Sequence, residues 1–129
     1  MIVGLGVDIA DVERIERLLD KHRDRFVRRI CTEREAAQFE SDVQMAQHLA
    51  GRFAAKEAVF KALGTGWSSG IGWHQVEVLN DDSGKPVLHI SGAAKERAER
   101  LGAAKWLLSI SHIPAYAVAV AIAETAAGS

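Results

Sequence analysis

Hydrophobic residues recur along the first half of the chain in ways that divide it into a strand and three helices. Residues 2–10 are almost continuously apolar, which is typical of a buried strand. Asp11 then precedes an apolar stripe at helical spacing, which predicts an N-capped amphipathic helix. Thr32 and Glu35 fit a capping box that opens a second helix.

The chain then continues with one long helix and a change to the shorter period of strands. Asp42 is the predicted N-cap of the third helix, which runs to about Leu63. Four strands are predicted after it, in two hairpins separated by a helix that Ser91 opens and Gly102 ends. These strands cover residues 73–79, 86–90, 106–111 and 115–123.

This order of elements predicts an α+β fold, with an antiparallel sheet packed with helices. A chain of 129 residues is long enough for one domain with a core and hardly for two. We place that domain at residues 1–124, with residues 125–129 as a frayed tail. Residues 116–122 alternate alanine with β-branched residues, so both faces of the last strand are apolar. We therefore expect neither face to meet water, one of them being covered by another subunit.

Charge and cysteine content narrow the class of protein. With 16 Lys and Arg against 17 Asp and Glu, the net charge of −1 gives no general attraction to nucleic acid. The single cysteine, Cys31, excludes an internal disulfide framework and is expected to be a small buried residue. The N-terminal residues lack the basic segment of a signal peptide, and no apolar run reaches membrane-spanning length. We expect a soluble cytoplasmic protein that binds neither nucleic acid nor membrane.

Residues 52–66 carry the most concentrated candidate chemistry, at the end of the third helix. Glu57 and Lys61 are four positions apart and share a helical face, and a Gly-Thr-Gly turn follows at residues 64–66. A carboxylate, an ammonium group and closely approaching backbone can make a metal-assisted phosphate site. They can equally make a surface ion pair with a glycine cap, and these residues alone favour that second interpretation.

Asp8 and a basic segment are two further features that call for a partner. An ionised carboxylate within the apolar residues 2–10 is costly unless it is paired or binds a cation. A position at the strand rim, or a role in capping the next helix, is equally open. Residues 21–30 are the most basic part of the chain. Such a run is usually a solvated face, but in a chain of near-zero net charge it also indicates an acidic partner.

Four motifs stand in order along the chain and together point to a family. They are Gly-Leu-Gly-Val-Asp-Ile at 4–9 with Arg14 and Ile15, Arg-Phe-Ala-Ala-Lys-Glu-Ala at 52–58 with Lys-Ala-Leu-Gly-Thr-Gly at 61–66, Gly-Lys-Pro at 84–86, and Ser-Ile-Ser-His at 109–112. In order, spacing and chain length they closely resemble the holo-acyl-carrier-protein synthases, a family of small bacterial 4′-phosphopantetheinyl transferases. The resemblance covers about residues 1–124.

The resemblance implies an enzyme that transfers 4′-phosphopantetheine from coenzyme A to a serine of apo acyl carrier protein. The reaction releases adenosine 3′,5′-bisphosphate and belongs to fatty acid biosynthesis. The family pattern implies that Asp8 and Glu57 hold a divalent ion, usually Mg²⁺, and that Lys61 contacts the pyrophosphate. Glu57 is the expected base for the serine proton, with Asp8 as the alternative. The backbone amides expected to donate to phosphate are those of Gly64, Thr65 and Gly66.

The same resemblance implies binding contacts for residues elsewhere. Arg52 and His112 match residues that help to hold the nucleotide and its 3′-phosphate, often from the neighbouring subunit of a homotrimer. Without the family, His112 would be a surface histidine in a hairpin turn. Lys85 and Pro86 would lie near the adenosine, although ordinary turn chemistry explains that pair equally well. The acidic carrier protein gives the basic segment its partner, through Arg14, Arg25, Arg28 and Arg29.

Two other functions stay open on the residues themselves. A non-catalytic module could bind coenzyme A or a nucleotide through the glycine turn without a metal, although Asp8, Glu57 and Lys61 argue against it. A structural adaptor could dock an acidic protein on its basic helix. That reading leaves Asp8 and the glycine turn unexplained.

Overall fold

A computed structural model of the chain describes residues 1–64 and 70–127. Within these two ranges five strands and four helices follow one another, with a short 3₁₀ turn at Trp73–Gln75 before the second strand. No helix in these two ranges combines the length and the apolar character needed to cross a membrane. The elements are β1 (Ile2–Asp11), α1 (Val12–Ile30), α2 (Glu33–Gln38), α3 (Met45–Leu63), β2 (Val76–Asn80), β3 (Pro86–Ile90), α4 (Gly92–Leu101), β4 (Lys105–His112) and β5 (Tyr116–Glu124).

The strands confirm the predicted α+β class, but they divide into two antiparallel sheets instead of one. In the described part of the chain, β1, β5 and β4 form a three-stranded sheet in that order, and β2 and β3 form the second sheet. Both predicted hairpins are present. The antiparallel pairing of β1 with β5 places Asp8 opposite Ala119. This register places the strand carboxylate on an edge strand of the larger sheet, beside its central strand β5.

Helix α3 lies directly on the backbone of β1, because two glycines remove the side chains that would separate them. A Cβ atom at Gly6 would lie 1.8 Å from the carbonyl oxygen of Ala58, and one at Gly4 would lie 2.5 Å from that of Ala62. No real Cβ contact is that short, so this helix–strand spacing requires glycine. The alanines of β5 are likewise fully buried on the side that faces α3: Ala117, Ala119, Ala121 and Ala123.

The opposite side of the three-stranded sheet is apolar and exposed in the single chain. We call it the outer face. Leu5, Val7 and Ile9 of β1 are 65%, 56% and 64% exposed, and Val118 of β5 is 38% exposed. In the single chain the alanine face of the last strand is covered and its other face is exposed, so the expected cover by another subunit stays a prediction. The outer face is a large apolar surface on a small protein.

A buried ion pair ties α3 to the elements around it. The Lys56 ammonium is fully buried and donates to Glu35 Oε1 at 2.6 Å and to the carbonyl oxygens of Ile30 and Trp73 at 2.6 and 3.1 Å. Glu35 also closes the predicted capping box with Thr32, which is present. The three donor positions of Lys56 are thus filled by protein acceptors. Lys56, although it stands inside the most informative motif, is a structural residue.

The structure tests two further local predictions, the N-cap at Asp42 and the burial of Cys31. Asp42 does not cap α3: the helix begins at Met45 after Gln44, and Asp42 Oδ1 accepts from the backbone N–H of Gln44 at 2.8 Å. Cys31 is buried at the end of α1, as expected. At the C-terminus, the backbone N–H of Thr125 donates to the carbonyl oxygen of Met1 at 2.9 Å.

Candidate active site

The packing of α3 on β1 brings Asp8 and Lys61 together across 53 positions of sequence. Asp8 lies on the same side of β1 as Gly6, because the two are two positions apart in a strand. The ammonium of Lys61 is 2.9 Å from Asp8 Oδ1 and 3.1 Å from the carbonyl oxygen of Val7. The lysine thus holds the strand carboxylate from one helical turn beyond Glu57.

Glu57 lies beside this pair and is half-buried. Burial raises the pKa of its carboxyl, the negative charge of Asp8 raises it further, and the charge of Lys61 lowers it without reversing the shift. The two carboxylates therefore repel each other in a partly dehydrated place, and among the described residues it is the partly exposed Lys61 that offsets this repulsion. A further positive charge would relieve this repulsion.

The donor set at Asp8 and Glu57 fits a hard divalent cation. Both residues offer carboxylate oxygens, and Mg²⁺ characteristically takes one or two carboxylates together with water and phosphate oxygens. Within residues 1–64 and 70–127 there is no group of three or more His, Cys, Asp or Glu side chains that could hold a metal. A cation held by Asp8 and Glu57 would need further ligands, such as water or phosphate oxygens.

The glycine end of α3 is only partly described. Gly64 ends the helix in the left-handed conformation, with φ of 79°, as the glycine-cap interpretation predicts. Its backbone N–H already donates to the carbonyl oxygens of Phe60 and Lys61, both at 3.1 Å. Thr65 and Gly66, the other expected phosphate contacts, lie outside the described residues.

A second pocket gathers most of the residues that were expected to hold the nucleotide. Arg52, Pro86 and His112 line it, between α3, the β2–β3 hairpin and the end of β4. Lys85 is exposed in that hairpin, where its backbone N–H donates to Asp81 Oδ1 at 2.9 Å. That contact agrees with ordinary turn chemistry for Lys85, while Pro86 belongs to the pocket.

Arg52 is the unusual side chain of this pocket because it is 3% exposed and incompletely paired. Its Nη2 donates to Gln38 Oε1 at 3.4 Å, and its guanidinium lies 4.7 Å above the ring of Phe39. Its Nη1 is buried and has no hydrogen-bond partner among the described residues, the nearest carboxylate oxygen being Glu35 Oε2 at 3.9 Å. An unsatisfied buried donor on a pocket wall is costly and indicates a place for an acceptor on a ligand.

The two clusters lie on opposite sides of α3. Arg52 and Lys61 are nine positions apart in one helix. At about 3.6 residues per turn, nine residues make about two and a half turns and roughly 14 Å of axial rise. The chain thus brings Asp8, Glu57 and Lys61 together, and separately Arg52, Pro86 and His112, but it does not join both sets around one ligand.

The basic residues of α1 also divide into two groups. Arg14 and Arg29 line an apolar cleft of about 430 Å³ together with Phe26 and Phe53. Phe53 lies one helical turn before Glu57, so this cleft borders the carboxylates. Arg25 does not line it. Its Nη2 is 3.4 Å from His22 Nδ1, and the non-helical backbone of His22 interrupts α1. Arg28 is exposed and does not line it either.

His48, a residue of the second pocket, was missed in the sequence. His48 lines the pocket one turn before Arg52, and its Nδ1 is 2.5 Å from Asp42 Oδ2. The ring of His48 stands edge-on to that of His112, with centroids 5.4 Å apart. The spacing of four between His48 and Arg52 was a readable signal, since such residues share a helical face.

Comparisons with known proteins agree over nearly the whole chain. Residues 4–121 match the sequence model of the 4′-phosphopantetheinyl transferase superfamily. A holo-[acyl-carrier-protein] synthase of Solibacter usitatus is 46% identical over 124 residues, which are 96% of this chain and 99% of that protein.

Solved structures give the same result. The crystal structure of holo-[acyl-carrier-protein] synthase from Neisseria meningitidis has a TM-score of 0.87 and 35% identity, over 97% of this chain and 100% of that one. A holo-(acyl-carrier-protein) synthase from Bacillus anthracis in complex with CoA (3′,5′-ADP) has a TM-score of 0.77 and 41% identity, over 98% of this chain and 99% of that one.

Proposed function

The chain belongs to the 4′-phosphopantetheinyl transferase superfamily and is an enzyme of that class, and we propose that Asp8, Glu57 and Lys61 form its reaction centre. The reaction is transfer of 4′-phosphopantetheine from coenzyme A to a serine of apo acyl carrier protein. It yields holo carrier protein and adenosine 3′,5′-bisphosphate. The observation that carries the assignment of residues is the convergence of a strand carboxylate, a helix carboxylate and a lysine on one spot of a chain with this family pattern.

We propose that Asp8 and Glu57 hold Mg²⁺ in this centre. When bound, the ion supplies neutralisation of the charge on the pyrophosphate of coenzyme A. Lys61 contributes a second positive charge, aimed at the same place by its contact with Asp8. Phosphoryl transfer depends mainly on positioning and on stabilising the charge that develops. These three side chains meet that requirement without covalent chemistry from the protein.

The serine of the carrier protein needs an acceptor for its proton, and we propose Glu57 for this role, with Asp8 as the alternative. This role rests on the position of Glu57 beside Asp8 and Lys61, because a carboxylate that holds a cation is a weaker base than a free one. The serine Oγ forms a bond to the β-phosphorus of coenzyme A while the bond from that phosphorus to the bridging oxygen breaks. The electron pair leaves with adenosine 3′,5′-bisphosphate, and the proton passes to the carboxylate.

The nucleotide is proposed to bind in the pocket of Arg52, Pro86 and His112. Because this pocket and the reaction centre lie on opposite sides of α3, one coenzyme A requires the reaction centre of one subunit and the nucleotide pocket of its neighbour. We therefore propose a homotrimer with composite sites, each subunit being a single domain over residues 1–124. The exposed apolar residues of the outer face, such as Leu5, Val7 and Ile9, support self-association.

The carrier protein is proposed to dock over the cleft between α1 and α3. Arg14 and Arg29 offer positive charge to an acidic partner, and Phe26 and Phe53 offer apolar contact beside Glu57. Electrostatic docking of this kind steers association and weakens with salt. Arg25 and Arg28 are exposed on the same helix beyond the break at His22 and would act at longer range.

Incubation of the protein with coenzyme A, Mg²⁺ and apo acyl carrier protein, followed by intact-mass measurement of the carrier, tests the proposed function. We expect the carrier to gain the mass of one phosphopantetheine on its serine. Asp8→Asn and Glu57→Gln are expected to lose this activity by at least roughly a hundredfold while they keep the circular dichroism of the wild type. Wild-type rates in either variant would remove that carboxylate from the reaction centre.

A further inference from the structure

Asp42 and His48 form a pair at the edge of the nucleotide pocket that the reaction described above does not use. His48 Nδ1 is 2.5 Å from Asp42 Oδ2, and Asp42 is fixed in turn because its other oxygen accepts from the N–H of Gln44 at 2.8 Å. The Asp42 side chain is 18% exposed and that of His48 is 40% exposed. The Asp42 carboxylate is therefore the more buried partner, and the imidazole of His48 lines the pocket.

The pairing leaves a defined atom of His48 for a ligand. Nδ1 is taken by Asp42, so Nε2 is the ring nitrogen that remains. When the imidazole is protonated, both nitrogens donate, and the carboxylate of Asp42 balances the charge. The edge-on contact with His112, with ring planes 77° apart, keeps the two imidazoles at one end of the pocket. The arrangement offers proton donors to an anion.

Arg52 supplies the independent observation that a ligand belongs here. Arg52 lines the same pocket one turn after His48, and its buried Nη1 lacks a hydrogen-bond partner among the described residues. The residues that line this pocket include no aspartate or glutamate: Gln47, His48, Gly51, Arg52, Asn80, Gly84, Pro86, Ile110 and His112. Three cationic or proton-donating side chains without a lining carboxylate make an anion site, and a phosphate monoester has the acceptors to satisfy all three.

We infer that the Asp42–His48 pair, with Arg52, binds the 3′-phosphate of coenzyme A and makes this enzyme select coenzyme A over 3′-dephospho-coenzyme A. His48 contacts the phosphate, and Asp42 is a positioning residue that acts through His48. The inference rests on the proposed function, because it deepens the role of the nucleotide pocket. It assigns to His48 and Asp42 the specificity that would otherwise fall on Arg52 and His112 alone.

The test compares His48→Phe, which keeps the aromatic contact with His112, with His48→Gln, which keeps a side-chain N–H donor. Both are assayed with coenzyme A and with dephospho-coenzyme A at saturating carrier protein. Loss of one charge-assisted hydrogen bond predicts that His48→Phe raises the KM for coenzyme A about tenfold. The kcat and the KM for dephospho-coenzyme A are expected to stay unchanged, and His48→Gln to recover part of the loss. His89→Phe, an exposed histidine of β3 outside the pocket, is the matched control.

Asp42→Asn tests the positioning role. We expect it to lower the preference for coenzyme A over dephospho-coenzyme A in the same direction as His48→Phe, and to have no additional effect in the double variant. An unchanged preference in Asp42→Asn would overturn the role of Asp42. An equal rise of both KM values in His48→Phe would overturn the inference, because it would place His48 on the adenosine instead of the phosphate.

A binding measurement separates this inference from the proposed function. Calorimetric titration of the wild type and His48→Phe uses adenosine 3′,5′-bisphosphate and adenosine 5′-monophosphate, and needs no turnover. We expect His48→Phe to weaken only the bisphosphate, again about tenfold. Equal affinity of both proteins for the bisphosphate would overturn the inference even if transfer activity is intact. Absence of transfer by the wild type would instead contradict the proposed function and leave the binding result decisive for the pocket.

Discussion

Lys61 donates from Nζ to Asp8 Oδ1 at 2.9 Å, and the same carboxylate is a proposed ligand of the metal ion. The lysine is half exposed, with 54% of its side chain accessible, so it can move to a phosphate when substrate arrives. If Asp8 holds the proposed cation, Lys61 and the cation compete for the same carboxylate, while the proposed phosphate contact draws Lys61 towards the substrate.

This competition predicts opposite effects of Lys61→Met on metal binding and on turnover. Removing the ammonium leaves Asp8 and Glu57 with less compensation, so Mn²⁺ or Mg²⁺ should bind about threefold to fivefold more tightly to the free protein. The kcat should fall by at least roughly tenfold, because a charge on the pyrophosphate is lost. Calorimetry with the metal alone and the carrier assay measure the two effects. Weaker metal binding in the variant would show that Lys61 does not compete for Asp8.

Gly6→Ala should destabilise the fold by about 3 kcal/mol, because the new Cβ would collide with the backbone of Ala58. Urea unfolding followed by circular dichroism measures the change. Gly72→Ala is the control, since a Cβ there meets nothing within 4 Å. The same displacement of α3 should also reduce transfer activity in the folded fraction, because Asp8 and Glu57 are held on the two elements that separate. A stable and fully active Gly6→Ala would contradict the close packing of α3 on β1.

Lys56→Met should cost about 3–5 kcal/mol of unfolding free energy, because it leaves Glu35 buried without its charge partner. Lys61→Met, on the exposed side of the same helix, should cost less than about 1 kcal/mol. Equilibrium unfolding of the two variants gives this comparison between neighbouring lysines. Equal stability of both would mean that the buried pair contributes little to folding.

Cys31 predicts a loss of stability at alkaline pH. Burial raises the pKa of its thiol from 9.0 to about 11, chiefly by dehydration and next by the charge of Glu35. The folded state therefore holds the proton more tightly than the unfolded chain. The contribution of the thiol is complete below pH 9 and is lost as pH rises towards about 11. Cys31→Ala should flatten this part of the profile of melting temperature against pH. A wild-type slope that persists in the variant would assign it to other groups.

Arg14→Ala should raise the apparent KM for the carrier protein about fivefold and leave the KM for coenzyme A nearly unchanged. The reason is that Arg14 lines the cleft beside Phe53 and is absent from the nucleotide pocket. The difference between variant and wild type should shrink in high salt. Arg17→Ala is the matched control, because Arg17 pairs with Glu13 at 3.0 Å outside the cleft. The reverse pattern of KM values would place Arg14 at the nucleotide.

Local signals in the sequence predicted the local structure well. Asp11 caps α1, Thr32 closes its capping box, and Gly64 ends α3, because each depends on a few neighbouring residues. Asp42 shows the limit of such signals. Its carboxylate does accept a backbone N–H two positions on, as a turn residue does, but it bonds His48 with its other oxygen and the helix starts later. Turn and cap signatures use the same residue types.

The contacts that define the site join residues far apart in sequence, so the sequence predicted only some of them. The pairing of Asp8 with Lys61 needs the backbone contact at Gly6, which no periodicity reveals. The buried partner of Glu35 is 21 positions away, so Lys56 could not be told from the other lysines of its motif. The division of the strands into two sheets likewise depends on which edges meet in space, whereas each hairpin is set by its own turn.

The spacing of five residues between Arg52, on the nucleotide side of α3, and Glu57, on its carboxylate side, makes this helix intolerant of changes in length. One inserted or deleted residue between Arg52 and Glu57 would turn one side by about 100° relative to the other. Substitutions there alter single contacts, but an insertion would swing a whole row of side chains away from its pocket. The segment thus fixes the direction of the nucleotide pocket relative to the proposed reaction centre. Its number of residues matters as much as the identity of its side chains.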